Sequence, residues 1–272
     1  MEKPIIAKHV FNVVAKQHIT PHYIRITLRG DGAGDFKHCT PGANNKIFIP
    51  PAGENHVQFA TFDAEKAEWV MPDERIKPIV RTYTHRGMGT ADGEIIIDFV
   101  DHGDNGPAST WARAAVKDDQ LGVAMKLRET ALCPAADWYF LIADATAIPV
   151  LSCILESLPS TAKGHCLVEV ATTDDIHPDI KHAGFTIQYI FNAHPDKGSE
   201  LAQHAKKVVL PEEGSRFAYV ACEYTSVKEL RKHFRDELQW TSQEIYAFSY
   251  WKAGVAEDKS ASDRREEKEE QG

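Results

Sequence analysis

What most constrains the fold of this chain is a change of pattern partway along it. Up to Val100 it reads as short strand-like runs broken by Gly, Pro and Asn, and from about Trp138 strands alternate with helices. The first set comprises Ala7 to Ala15, Tyr23 to Leu28, Lys46 to Ile49, Glu68 to Met71, Val80 to His85 and Ile95 to Val100. Their number and spacing predict a six-stranded antiparallel β-barrel. A helix from Pro107 to Ala115 follows, with Pro107, Ser109 and Thr110 in its first turn as a helix start requires, and is expected to cap the barrel.

The second set reads strand Tyr139 to Ala143, helix Ile148 to Ser157, strands Gly164 to Ala171 and Phe185 to Phe191, helix Ser199 to Lys206, strand Arg216 to Ala221 and helix Thr225 to Leu238. Such alternation predicts an α/β domain with a parallel sheet and helices on both faces. Cys133-Pro134-Ala135-Ala136 marks the boundary, so the expected organisation is a barrel domain over 1–134, an α/β domain over 135–255 and a tail over 256–272. The tail is Glu, Asp, Lys, Arg and Ser without an apolar stripe, which reads as disorder or as a solvated helical extension. No Gly-x-Gly-x-x-Gly turn is present, which argues against a doubly wound flavin oxidoreductase.

With 272 residues and 43% apolar content, the chain can bury one large core or two medium ones, and the order of its motifs favours two. Its net charge of −9 disfavours nucleic acid as a general partner. The five cysteines are odd in number and scattered, which argues against a disulfide framework, a zinc ribbon or a cysteine-held iron–sulfur cluster and fits a reducing compartment. The N-terminus lacks the apolar stretch of a signal peptide and no later run reaches bilayer length, so a cytoplasmic protein without membrane insertion is expected.

Two segments carry chemistry. In Arg81-Thr82-Tyr83-Thr84, strand alternation puts Arg81 and Tyr83 on one face, where a guanidinium can grip a pyrophosphate and a phenol ring can pack on a conjugated ring. Thr84 points to the other face, so its approach to the same ligand requires the strand to bend or end there. Taken alone, these residues also describe an ordinary strand with a surface arginine. In the second segment, His102-Gly103-Asp104-Asn105-Gly106-Pro107-Ala108-Ser109 leads from a strand into a helix whose unpaired first-turn amides form a phosphate seat. A capped helix without a ligand reads the same way.

In order and spacing the segments together resemble the siderophore-interacting protein family, flavin-dependent ferric-siderophore reductases built like ferredoxin–NADP reductases. The resemblance extends to Ile19 through Gly30, to Tyr139 through Leu151 and to Phe248 through Gly254, and covers most of residues 5 to 254. It implies FAD as cofactor, held by Arg81, Thr82, Tyr83, Thr84, Asp98, Val100, His102, Gly106, Pro107, Ala108 and Ser109. Thr146 and Trp251 are implied near the isoalloxazine, and Ala253 as a further cofactor-binding residue. Lys46, Lys126, Arg128 and Lys252 are implied to attract an anionic ferric siderophore, although each also reads as an ordinary surface cation. Family members that use nicotinamide often carry Gly-Asp-Glu-Thr-Ala where this chain has Ala143-Asp144-Ala145-Thr146-Ala147, which leaves the electron donor open between NAD(P)H and ferredoxin.

The other histidine and carboxylate groups, His177 with Asp179 and His182, and His194 with Asp196, are interrupted by prolines and read as solvated loops rather than as a metal site. Glu223 stands at a strand-to-helix junction, where it can cap the helix from Thr225. Two alternatives to a ferric-siderophore reductase remain: a general NAD(P)H–flavin or diaphorase-type reductase, and a non-catalytic siderophore-binding carrier.

Overall fold

A computed structural model describes residues 5–103 and 106–255 of the chain; Asp104, Asn105 and the tail over 256–272 lie outside the described residues. The chain divides between Thr130 and Ala131 into two compact units.

The strands of the first unit are β1 (Ile6–Thr20), β2 (Tyr23–Arg29), β3 (Asn44–Ile49), β4 (Thr61–Asp63), β5 (Glu68–Val70), β6 (Ile79–Met88), β7 (Glu94–Val100) and β8 (Gln120–Lys126). Six of them close a barrel in the order β1-β2-β7-β6-β3-β8, with antiparallel pairing throughout. Alternate residues such as Ile24, Ile26, Ile47, Ile97 and Val123 fill its interior and are fully buried. Helix α1 (Pro107–Ala114) joins this core through Ala108 and Ala112, with Trp111 packed against it.

The expected strand count is right but its membership is not. Glu68 to Met71 contributes no barrel strand: β5 pairs only with β4, as a separate hairpin. All three β5 residues are exposed, so the run has no face to bury. The sixth barrel strand is β8, where Gly122 interrupts the apolar pattern. A Cβ on Gly122 would lie 2.8 Å from the Phe59 ring, so only glycine lets that ring lie against the barrel wall.

The second unit contains β9 (Trp138–Asp144), α2 (Ile148–Ser157), β10 (Gly164–Val170), β11 (Phe185–Phe191), α3 (Leu201–Ala205), β12 (Arg216–Glu223), α4 (Tyr224–Lys232) and β13 (Ile245–Trp251). The sheet is wholly parallel, in the order β11-β10-β9-β12-β13. Phe140, Ile142 and Val220 pack with α3 and α4 on one face, and the alternate residues Leu141, Ala143 and Ala221 are equally buried on the other. A continuous run of apolar residues is what a sheet covered on both faces requires. The final helical stretch ends within one residue of the expected Leu238 but changes its winding on the way. Helix α4 stops at Lys232 and gives way to a π turn, His233–Glu237, that carries Phe234 into the core beside Trp240 and Phe140. Among the described residues, no helix is long and apolar enough to cross a membrane.

Candidate functional site

Strand β6 organises the first unit's site. Tyr83 lies directly opposite Asn45 and Arg81 opposite Ile47, so these four share a face. The other face carries Thr82, Thr84 and Lys46, whose ammonium donates to the Thr82 hydroxyl. The strand does not bend or end at Thr84. It runs on to Met88, and its irregularity falls between His85 and Gly87, which leaves Thr84 buried on the face opposite Tyr83. The half-buried Tyr83 ring is 4.8 Å from Phe99, which in turn is 5.6 Å from Trp111 of α1. The phenol is therefore braced from behind by the helix that carries the second motif. The guanidinium of Arg81 donates from Nη1 to the Val80 carbonyl at 2.7 Å, which fixes its plane.

At the start of α1, Gly106 is the N-cap, Pro107 fills the first position, and no side chain among the described residues caps the turn. The first turn thus keeps backbone donors and a partial positive charge for an anion. Ser109 is wholly buried and staples the preceding loop: its hydroxyl lies 3.0 Å from both Asp101 Oδ1 and the Gly103 carbonyl and accepts from the His102 amide at 3.3 Å. His102 is exposed, and its ring lies over Gly106 so closely that a Cβ there would come within 2.9 Å of Cε1. This glycine cradle, the uncapped first turn and the braced Tyr83 fit a flat ring system that ends in a diphosphate.

Asp98 is committed elsewhere. It pairs in register with Arg25, which donates to both carboxylate oxygens at 2.8 Å, while the Tyr23 hydroxyl donates at 3.0 Å and Arg86 Nε lies 3.8 Å away. With 2% exposure, this carboxylate anchors a buried cation cluster beneath the site. Val100, two residues on and opposite Tyr23, is half-buried.

Two buried polar side chains flank Tyr83 without a hydrogen-bond partner among the described residues: the amide of Asn45 and both ring nitrogens of His85. Burial drives the His85 pKa down from 6.5 to about 4, so the folded protein keeps this ring neutral. The stabilisation that follows is fully present above pH 6.5 and is lost as pH falls through about 4. We expect wild type to lose about 3 kcal/mol more than a His85→Val variant when urea unfolding is moved from about pH 7 to about pH 4. Equal losses in the two proteins would mean that His85 is protonated in the fold.

In the second unit the chain leaves central β9 for β10 and β11 on one side, then returns to β12 and β13 on the other, which creates a switch point at the carboxyl ends of β9 and β12. Asp144, Glu223 and Trp251 end β9, β12 and β13. The indole Nε1 of Trp251 donates to Asp144 Oδ2 at 2.7 Å, and Thr146 donates to Oδ1 from its amide at 2.9 Å and from its hydroxyl at 2.5 Å. Burial raises the Asp144 pKa, against the lowering effect of these donors. Glu223 accepts from the Thr225 amide at 2.6 Å, so it caps α4, and from the Ala253 amide at 3.3 Å. Thr146, Trp251 and Ala253 thus converge on two carboxylates. Sequence reasoning missed Asp144 as their organiser. Its place at the end of an apolar strand at the switch point was the available signal.

Among the cations, Lys46 and Lys126 project from the same outer barrel face, because Lys46 is in register with Ala124 and Lys126 lies two residues further along β8. Arg128 is exposed just past the end of β8. Lys252, in the second unit, places its ammonium 4.4 Å from the centre of the Tyr224 ring. The loop histidines act locally: His177 Nδ1 accepts from the Asp179 amide, and His182 Nδ1 from that of Gly184.

Residues 12–125 match the model of the siderophore-interacting FAD-binding domain, and residues 136–254 match that of the siderophore-interacting protein. The chain is 32% identical over 251 residues to the ferric vibriobactin reductase ViuB of Vibrio cholerae, covering 92% of this chain and 91% of that protein. The crystal structure of the siderophore-interacting protein SipS from Aeromonas hydrophila superposes with a TM-score of 0.81 at 27% identity, covering 96% of this chain and 98% of that one. The flavohem-like FAD/NAD-binding domain of nitric oxide dioxygenase from Vibrio cholerae has the same fold, with a TM-score of 0.61 at 14% identity over 89% of this chain and 98% of that one.

Proposed function

The chain belongs to the siderophore-interacting protein family, and on that basis we propose that it is an FAD-dependent ferric-siderophore reductase that converts siderophore-bound iron(III) to iron(II). Iron(III) in a siderophore is a hard cation in an oxygen cage, and adding one electron weakens its hold on that cage. Bound FAD supplies the conversion of a two-electron donor into single-electron delivery. The chain's own work is to seat FAD and admit a bulky ferric complex; it needs no iron ligands of its own.

The observation that carries this reading is the joining of the Arg81–Tyr83 face to the uncapped first turn of α1 through Phe99 and Trp111, within the stretch that matches the FAD-binding domain. Arg81 would grip the diphosphate with the first turn of α1, Gly106 through Ser109, beside it. Tyr83 would pack on the conjugated ring, with Val100 and His102 around it and Asp98 holding the strand beneath, while Thr82 and Thr84, whose side chains lie on the face opposite Tyr83, would meet the cofactor only through their backbone. Thr146, Trp251 and Ala253 are assigned to the isoalloxazine end. Lys46, Lys126, Arg128 and Lys252 are assigned to the anionic chelate. In this reading residues 1–134 form the FAD domain, 135–255 an NAD(P)H-binding-like domain and 256–272 an appendage, and the protein acts in the cytoplasm with NAD(P)H or ferredoxin as donor.

The purified protein should be yellow or take up added FAD, and its flavin absorbance should bleach anaerobically with at least one of NADH, NADPH and reduced ferredoxin. The reduced protein should turn over a ferric siderophore faster than a simple dye. Preference for the dye would identify a diaphorase, and protein that stays colourless with FAD present would identify a carrier.

A further inference from the structure

Building on the reductase reading, we propose that the outer face of β1, β8 and β3 recognises the aryl groups of an anionic ferric chelate, of the catecholate or phenolate class, and that Lys8 is the residue that selects it. The register makes this face continuous. Ala124 of β8 lies opposite Lys8 of β1 on one side and opposite Lys46 of β3 on the other, so the lysines flank one small residue. Across two strand spacings their Cα atoms are about 10 Å apart. Lys126 continues the face along β8.

Lys8 has no carboxylate within ion-pair distance among the described residues, and neither does Lys126. Aromatic rings surround the Lys8 ammonium instead, at 4.6 Å from the centre of Phe59, 5.7 Å from Trp69 and 6.0 Å from Phe48. Ring faces attract the ammonium without neutralising it, so its charge stays available to an anion. The ring wall is built on purpose: Phe59 seats against Gly122 and meets Phe48 edge-on at 5.0 Å. Trp69 remains 63% exposed, and Phe62, packed against it at 5.5 Å, remains 53% exposed.

Two cations without a carboxylate partner among the described residues, Lys8 and Lys126, beside exposed aromatic rings complement one ligand chemistry. Aryl oxygens carrying negative charge meet the ammonium groups, while the aryl rings stack edge-on or offset against the wall. A neutral hydroxamate chelate with aliphatic arms gains neither contact.

The test measures affinity, by quenching of tryptophan fluorescence in the FAD-loaded protein without donor, for two iron(III) probes: a hexadentate tris-catechol complex and a neutral hexadentate tris-hydroxamate complex. Lys8→Met, which keeps the stem against the rings, should weaken tris-catechol binding about tenfold at low salt and leave the hydroxamate unchanged. Lys8→Arg should restore it, and Trp69→Ala should reduce it in the same selective way. Loss of neither probe, or equal loss of both, in Lys8→Met would overturn the proposal. Failure of the reductase reading would look different, as wild-type protein without flavin or without ferric reduction while the selectivity in binding persists.

Discussion

Replacing Asp98 by Ala is expected to cost about 3–5 kcal/mol of unfolding free energy, because it strands buried cations rather than merely removing a contact. Asp98 accepts two bonds from Arg25 and one from Tyr23, with Arg86 Nε at 3.8 Å, and all three side chains are buried or largely so. Removing the carboxylate leaves Arg25 and Arg86 charged with their shared counter-ion gone. Arg25→Met in the same protein should recover part of the loss by withdrawing one stranded charge. Urea unfolding of the single and double variants reads both numbers. A single variant of near-wild-type stability that no longer binds FAD would instead put the Asp98 carboxylate on the cofactor.

Arg81→Ala should weaken FAD binding about a hundredfold or more, the scale of two charge-assisted hydrogen bonds to a diphosphate. Arg81→Lys should recover only part, since an ammonium is a point charge without the planar fork that grips two oxygens together. Quenching of flavin fluorescence on binding to apoprotein measures both variants independently of turnover. Arg81 is half-buried with its plane fixed by the Val80 carbonyl, so truncation should leave the barrel intact. An Arg81→Ala protein that binds FAD within about threefold of wild type would remove the arginine from the diphosphate.

The broad plan of the fold was legible because period-2 and strand–helix patterns are set by burial, and both cores are filled by those patterns. What escaped was wherever another force set the residue type. Strand β8 was hidden by Gly122, which is there for the Phe59 ring, and the Glu68 run mimicked a strand while having no core to face. Strand β13 read only as an aromatic ending, because Tyr246, Phe248 and Tyr250 alternate with the small, buried residues Ala247 and Ser249 rather than with charged ones. At the site, Arg81 and Tyr83 announced themselves by chemistry and spacing. The commitments of Asp98 to Arg25 and of Asp144 to Trp251 did not, because each pairing spans a sequence distance that no local motif records.

The closure of the barrel by β8 also orders events during synthesis. β1 begins at Ile6, yet its partner Lys126 lies at the far end of the unit, and β3 waits for the same strand along part of its length. Until β8 emerges from the ribosome, two strand edges stay open, and non-local closure of this kind is slow and prone to association. Truncation just after α1 would therefore leave an open five-stranded sheet with β1 and β3 as unpaired edges, and the arrival of β8 retires both edges at once.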